Sequence, residues 1–414
     1  MGRGTHVTFR AVFAIAEFRA LWAAEALSQI GDQLARVALA ILVFDRTGSA
    51  ALTGLTYALT LAPSFFGGIF LAGLADRFPR RQVMVITDVI RTVLIGLVAI
   101  PGVPFAVVCV LVAGVSFLQA PFKAAQLALL PAVLPGDHFV VGMGIRTVTI
   151  QAAHLIGFAG GGILIAAVNS YVALAIDAGT FLVSALIIQF GVAARPAANN
   201  GTTRPSMLGS VRSGARLIWR DNGLRVLLLY GWLASFLIVY EGLAAPYTAE
   251  IGGGTIAIGL ILASDPLGSV VGALVFSRWV PARSRPRVLG AMGIASCLPL
   301  LGCFAKPGLV VSLILFGLAG ALGTAVVLQS TALFTRGVPD HSRSQALGFS
   351  NSGLATIQGL SPVVAGLLAD QIGVALTVAL VGVIGLVMAV PAAISWGKAM
   401  ASDPDRWLEA IESD

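Results

Sequence analysis

Charge is what this chain has least of. Only 11% of its 414 residues are Asp, Glu, Lys or Arg, less than half the roughly 25% of an ordinary soluble domain. Hydrophobic residues make up 57%. An apolar excess of that size needs lipid as its solvent. Lysine is almost missing, standing only at positions 123, 306 and 398, so the net charge of +7 rests on arginine. Those arginines are spread over the connections between apolar runs, which excludes a nucleic-acid-binding patch. The three cysteines, Cys109, Cys297 and Cys303, all fall inside apolar runs. They are expected as free buried thiols, not as a disulfide framework. There is no cleavable signal pattern, so the first apolar run is expected to stay as a helix. There is no phosphate-binding loop either; the glycines read as helix-packing residues. ATP drive within this chain, a metal and a cofactor are therefore not expected. No His or carboxylate cluster lies at an interface, so an enzyme is not expected.

Twelve apolar runs are present, each close to the roughly 20 residues that cross a bilayer as a helix. They cover about 20–44, 50–75, 83–100, 104–130, 139–168, 171–194, 223–249, 254–279, 287–304, 308–335, 344–369 and 374–397. A helix satisfies its own backbone hydrogen bonds, which hydrocarbon demands. The expected fold is all-α: twelve transmembrane helices in two pseudo-symmetric six-helix bundles. Arg77, Arg80, Arg81, Arg278, Arg283, Arg285, Arg287, Arg336 and Arg343 crowd alternate connections, together with both chain ends. The excess of basic residues marks the cytoplasmic side, so both termini are expected in the cytoplasm.

The longest polar interruption divides the chain. The expected units are a first bundle over 1–194, a cytoplasmic linker over 195–222, a second bundle over 223–398 and a tail over 399–414. Within the linker, Arg212, Arg216 and Arg220 recur every four residues opposite Leu208, Val211, Leu217 and Ile218. That pattern predicts an interfacial helix. A shift of 204 residues lays Gly68 on Gly272, Pro135 on Pro339 and Gly144 on Gly348. One shift serving several helices argues for a duplicated half.

The stretch Gly73-Leu74-Ala75-Asp76-Arg77-Phe78-Pro79-Arg80-Arg81 joins the second and third runs. An acidic-then-basic turn between two spanning helices resembles the loop signature of the major facilitator superfamily. Phe18-Arg19-Ala20-Leu21-Trp22, Ile30-Gly31-Asp32, Thr87-Asp88-Val89-Ile90-Arg91, Pro121-Phe122-Lys123 and Ile176-Asp177-Ala178-Gly179-Thr180-Phe181 are similar to bacterial macrolide- and enterobactin-type exporters of that superfamily. Phe158 departs from the exporters' proline in the fifth helix, and Asp265 stands where relatives carry an apolar or small residue. The resemblance implies a secondary transporter of the bacterial inner membrane, with a substrate path between the halves. The turn from Gly73 to Arg81, with Arg77, Arg80 and Arg81, reads as part of a gate; the resemblance implies that Asp76 meets the positive end of the eleventh span while Arg77 joins Asp88 and Arg91. Gly73, with Gly67 and Gly68, is expected to let helices approach closely.

Ionised side chains in hydrocarbon are costly and need a partner, a wet cavity or a proton. Glu25, Gln29, Asp32 and Arg36 share one narrow face of the first helix, as steps of 100° place them. Asp32 has Arg36 as its i+4 neighbour. It reads either as a protonatable site or as half of a fixed ion pair. Glu25 lies nearer the cytoplasm, where water could solvate it. Glu241 reads as a cavity group or as a carboxylate reaching water at the outer side. Asp265, just before Pro266, reads as a cavity group or as a cap on freed backbone donors. Lys123 and Arg146 read first as packing and headgroup contacts, otherwise as contacts to an anionic substrate group; His154 reads first as a packing residue, otherwise as a proton relay. Asp177 and Asp370 are expected only to cap or solvate helix ends. The expected partners are an amphipathic small molecule, protons and the bilayer, acting on a functional monomer. The leading expectation is proton-coupled antiport that exports amphipathic compounds by alternating access. An anionic siderophore or metabolite exporter, or a lipid flippase, remains as the alternative.

Overall fold

The structure is a computed structural model that describes residues 8–71, 73–196, 207–339 and 342–408. The side chains of Ala75, Asp76, residues 207–212, Ser344, Asp405 and Leu408 lie outside that description. The described residues form helices joined by short turns, with no strand. The long helices are α1 (Ala16–Thr47), α2 (Ala50–Leu71), α3 (Arg80–Val98), α4 (Phe105–Val133), α5 (Asp137–Ala167) and α6 (Ser170–Gly191). Then come α7 (Met207–Arg220), α8 (Asn222–Glu250), α9 (Thr255–Trp279), α10 (Ala282–Ala305), α11 (Leu309–Gly337), α12 (Arg343–Ile372) and α13 (Val374–Ser402).

Eleven of these are long and apolar enough to span a bilayer. Of the twelve expected spans, α3 is the one outside that set. It is long enough at 19 residues, but it carries Arg80, Arg81, Asp88 and Arg91. Each unit turns many large apolar side chains outward, among them Phe70, Val110, Phe190, Trp279, Val310 and Val387. A surface of that kind is stable against lipid and not against water.

Polar caps punctuate the helices. The Asn169 side chain accepts from Val172 N at 2.9 Å to open α6, and Asp221 accepts from Leu224 N at 3.0 Å to open α8. The Glu250 carboxylate takes Val374 N at 2.6 Å and Ala375 N at 3.0 Å at the start of α13. Asp370 caps as the sequence implies: it accepts from Ala50 N at 2.7 Å and Ala51 N at 3.2 Å at the start of α2. Each carboxylate satisfies orphan donors and sits at the positive end of a helix.

The chain divides into two compact units. One takes the chain up to Leu42 and from Leu59 to Thr202; the other takes Val43–Ala58 and Thr203 onward, so helix α7, expected within the linker over 195–222, falls in the second unit. The short stretch containing Asp370's partners and Tyr57 therefore belongs with the C-terminal helices. The same helix pairings recur in both units. In the first, α2 packs on α4, and α3 packs on α4 and α6; in the second, α9 packs on α11, and α10 packs on α11 and α13.

Glycine makes the matching contacts close. A Cβ on Gly67 would collide with the Phe117 carbonyl, and one on Gly272 with the Ala321 carbonyl. The 204-residue shift carries Phe117 onto Ala321 but Gly68, not Gly67, onto Gly272; a Cβ on Gly68 would meet only the Ala120 Cβ at 3.9 Å, so the close contact falls one residue off that register and Gly68, against expectation, does not make it. Gly73 differs from the expectation: a Cβ there would meet nothing within 4 Å, so it permits no close approach. Helix α7 lies along α12, with Gly214 against the Gln345 backbone. Ile218 is buried while Arg216 and Arg220 are exposed, the two-faced arrangement its spacing predicts.

Candidate functional site

Buried charge is concentrated in the first unit. Arg91, only 2% exposed, donates from Nη2 to Asp32 Oδ1 at 2.9 Å and from Nη1 to Asp88 Oδ1 at 3.4 Å. Its guanidinium lies 3.8 Å over the Phe181 ring. Asp88 also accepts from Ser184 Oγ at 2.7 Å, and Asp32 from Gln119 Nε2 at 3.3 Å. The i+4 pair expected within α1 does not form. Arg36 Nη1 instead donates to Gln33 Oε1 at 3.0 Å. The Asp32 carboxylate reaches across to α3 because a buried guanidinium with two acceptors is a stronger partner than a half-exposed neighbour on the same helix.

Glu25 is not solvated. It is buried and holds Arg146 through two parallel bonds: Nε to Oε2 at 2.7 Å, and Nη2 to Oε1. Arg146 Nη2 also donates to Gln126 Oε1 at 3.3 Å. This fork-to-fork pair, between α1 and α5, fixes Arg146 as a structural partner of Glu25. Gln29, on the same face of α1, is half-buried. Lys123 is exposed on α4, and the His154 ring lies 6.3 Å from Phe158.

The turn after α2 separates its expected members. Arg77 is exposed, whereas Asp88 and Arg91 are buried in the core with Asp32. They stand two and three helical turns into α3, about 12 to 16 Å from its start. Arg80 Nη1 donates to Ala128 O at 2.7 Å, and Arg81 Nη1 to Val192 O at 3.2 Å. These guanidiniums cap carbonyls near the ends of α4 and α6. The Asp76 side chain is outside the described residues.

The second unit holds its acids differently. A cavity of about 350 Å³ opens among α8, α9, α11 and α12. Leu227, Leu228, Val327, Phe334, Leu347 and Leu354 supply its apolar wall. Asp265 lies on that wall together with Tyr240, Ser269 and Thr324. Tyr240 Oη donates to Asp265 Oδ2 at 2.7 Å, Ser269 Oγ to Oδ1 at 3.4 Å, and Thr324 Oγ1 to Ser269 Oγ at 2.7 Å. The Tyr240 ring is stacked on Phe316 at 4.2 Å, which fixes the phenol. Helix α9 runs on through Pro266, so Asp265 lines the cavity and caps no break. Glu241 is buried and accepts a hydrogen bond from the Tyr57 hydroxyl. It does not reach outward to water. Neither tyrosine was legible as a polar partner, because an aromatic residue in an apolar run reads as packing.

Acids held inside otherwise apolar helices, beside an apolar cavity, define a multi-pass membrane transporter. The comparisons agree. The family model described as Major Facilitator Superfamily matches residues 21–247 and 242–409, and the chain belongs to that superfamily. Multidrug efflux pump Tap of Mycobacterium tuberculosis (strain ATCC 25618 / H37Rv) is 26% identical over 371 residues, covering 84% of this chain and 85% of Tap. Macrolide efflux protein A of Streptococcus pyogenes is 20% identical, covering 86% and 90%. The enterobactin exporter EntS of Shigella boydii serotype 4 is 27% identical, covering 80% and 78%. A bacterial homolog of the human lysosomal transporter Spinster shares the fold with a TM-score of 0.72 at 16% identity, over 94% of this chain and 97% of that one. The peptide transporter POT does so at 0.71 and 13%, over 96% of each.

Proposed function

We propose that this chain is a proton-coupled antiporter that exports amphipathic, cationic small molecules by alternating access. Its place would be the bacterial cytoplasmic membrane, with both termini cytoplasmic and the monomer as working unit. The efflux pumps among its relatives support export. The arginine-rich alternate connections support the orientation. The observation that carries the cargo class is the cavity in the second unit. At about 350 Å³ it falls within the roughly 300–1,000 Å³ of small-molecule sites. Its wall is mostly apolar, and among the described residues its one lining carboxylic acid is Asp265, with no Lys, Arg or His. An anionic cargo would meet a carboxylate with no cation to answer it, which disfavours the siderophore-like reading.

The test is internal pH in proteoliposomes under an imposed proton gradient, as cationic, neutral and anionic amphiphiles are added in turn. Cationic compounds are expected to drive proton movement. Asp265→Asn is expected to weaken that response by about 10- to 100-fold, the loss of one hydrogen bond to a charged group worth about 1.5–3 kcal/mol. Absence of a response to every class would defeat the reading.

A further inference from the structure

Asp177 departs furthest from its expected place. The sequence sets it near an outer helix end, capping or solvated. It is instead 1% exposed, about 10 Å along α6. Its Oδ1 accepts from Thr180 Oγ1 at 3.2 Å, and its Oδ2 has no hydrogen-bonding partner among the described residues. Ser116, 4% exposed on α4, has an unpartnered hydroxyl too. Both groups line the same recess of about 30 Å³, with Asp32, Arg36, Arg91 and Gln119. That volume holds about two waters. Two buried polar atoms without partners, facing one recess, mark a place built for a small polar occupant.

We propose that this recess is a proton site, in which Asp177 carries the exchanged proton and competes with Asp32 for Arg91. The proposal rests on the proton-coupled reading above and adds the residue that would couple. The charge count carries it. Asp32 on α1, Asp88 on α3 and Asp177 on α6 act on one another around Arg91. One guanidinium cannot neutralise three carboxylates in a low-dielectric interior. Arg36 also faces the recess, but its Nη1 is engaged by Gln33. Lys123 on α4 and His154 on α5 belong to the same electrostatic neighbourhood, where each feels Asp32 and Arg36.

The acids are unequally provided for. Asp32 has Arg91 and Gln119; Asp88 has Arg91 and Ser184; Asp177 has the Thr180 hydroxyl. An ionised group with one neutral donor is the least sheltered of the three, so it holds the proton. Arg91 is also positioned to respond. Its Nε is buried without a partner. Its plane rests on Phe181, which stands one turn beyond Asp177 on the same face of α6. When the proton leaves Asp177 for water in the recess, a new carboxylate appears in a recess that Arg91, with its unused Nε donor, also lines. Arg91 is drawn toward it and its hold on Asp32 loosens.

Infrared difference spectra of the full chain in lipid, recorded as pH is varied, test the site without any cargo. The wild type is expected to show the carbonyl stretch of a buried carboxylic acid, shifted in deuterated water and lost as pH rises. Asp177→Asn should abolish that band. Asp177→Glu, which keeps the carboxyl, should move its frequency and covers the case in which the amide variant fails to fold. A band that survives Asp177→Asn at full strength overturns the proposal. So does one that Glu leaves unmoved, or one that sodium ions displace at fixed pH, which would mark a metal-cation site. In proteoliposomes, Asp177→Asn should move a cationic compound down its own gradient without proton movement. A wild type that moves no compound defeats the exporter reading, while the infrared band still decides whether Asp177 holds a proton.

Discussion

The two halves of this chain pair their helices alike and hold their acids differently. In the N-terminal half, Glu25, Asp32 and Asp88 meet arginine. In the C-terminal half, the acids inside the helices, Asp265 and Glu241, accept from tyrosine hydroxyls, while Glu250 and Asp221 at helix ends pair with Lys306 and Arg406. The partner decides what the acid can do. A guanidinium fork fixes a carboxylate in charge and in direction, and removal of either member strands a buried charge. A phenol donates one hydrogen bond and carries no charge, so Asp265 beside Tyr240 can take up a proton or a cation without abandoning a counter-ion. The arginine-paired half is braced, and the tyrosine-paired half is left receptive. Asp177 breaks that rule, an N-terminal acid with only a hydroxyl partner, and for that reason it is where the braced half can exchange a proton.

The comparison breaks first at Arg146. Arg146→Ala is expected to lower unfolding stability by about 3–5 kcal/mol, because Glu25 would remain buried and charged without its fork. Thermal unfolding in detergent, with Glu25→Gln added on top, gives the check. The double variant should recover much of the loss, since no stranded charge remains. If Arg146→Ala alone unfolds no earlier than the wild type, the N-terminal acids are not braced as described.

A middle-sized effect tests what the halves have in common. Gly67 and Gly272 each approach a backbone carbonyl on the facing helix, at Phe117 and Ala321 respectively. Gly67→Ala and Gly272→Ala should each destabilise by about 1–3 kcal/mol, the usual range for overpacking a tight contact. Gly144→Ala has nothing within 4 Å of the added carbon. It should be neutral, or more stable by up to about 1 kcal/mol through helix propensity. Equal losses at Gly67 and Gly272 would show that the repeated helix pairing carries similar packing energy in both halves.

Much of this was legible in the sequence, and the failures have one cause. Hydropathy placed the helices, and a single shift exposed the repeat, although it paired Gly68 with Gly272 where the matching close contact is made by Gly67. The acids themselves were found for the same reason: charge inside an apolar run stands out. Their partners were not. Periodicity sees one helix at a time, so it offered Arg36 to Asp32, whereas the guanidinium comes from Arg91 on another helix. It set Glu25 toward water because it could not see Arg146 on α5. Asp177 looked terminal because counting residues along α6 says nothing of the α1 and α3 helices packed around it. Helix α3, expected as the third span, falls outside the eleven apolar ones for the complementary reason. Its four charges are anchored by groups on other helices, and their cost appears in the sequence while their compensation does not.

The smallest expected effect sharpens the contrast most. Tyr240→Phe keeps the ring that stacks on Phe316 at 4.2 Å and removes only the hydroxyl that donates to Asp265 at 2.7 Å. The protein without cargo should lose about 1 kcal/mol, the net worth of a typical buried hydrogen bond. A cationic amphiphile bound in the cavity would supply the missing donor. Cargo should therefore stabilise Tyr240→Phe more than it stabilises the wild type, by the same linkage that raises unfolding temperature whenever a ligand prefers the folded state. The measurement is the shift in thermal unfolding with and without the amphiphile, in both proteins. A larger shift in the variant means that phenol and cargo compete for one carboxylate, as a receptive half requires. An equal shift means that cargo does not touch Asp265, and the tyrosine-paired acid is as fixed as the arginine-paired ones.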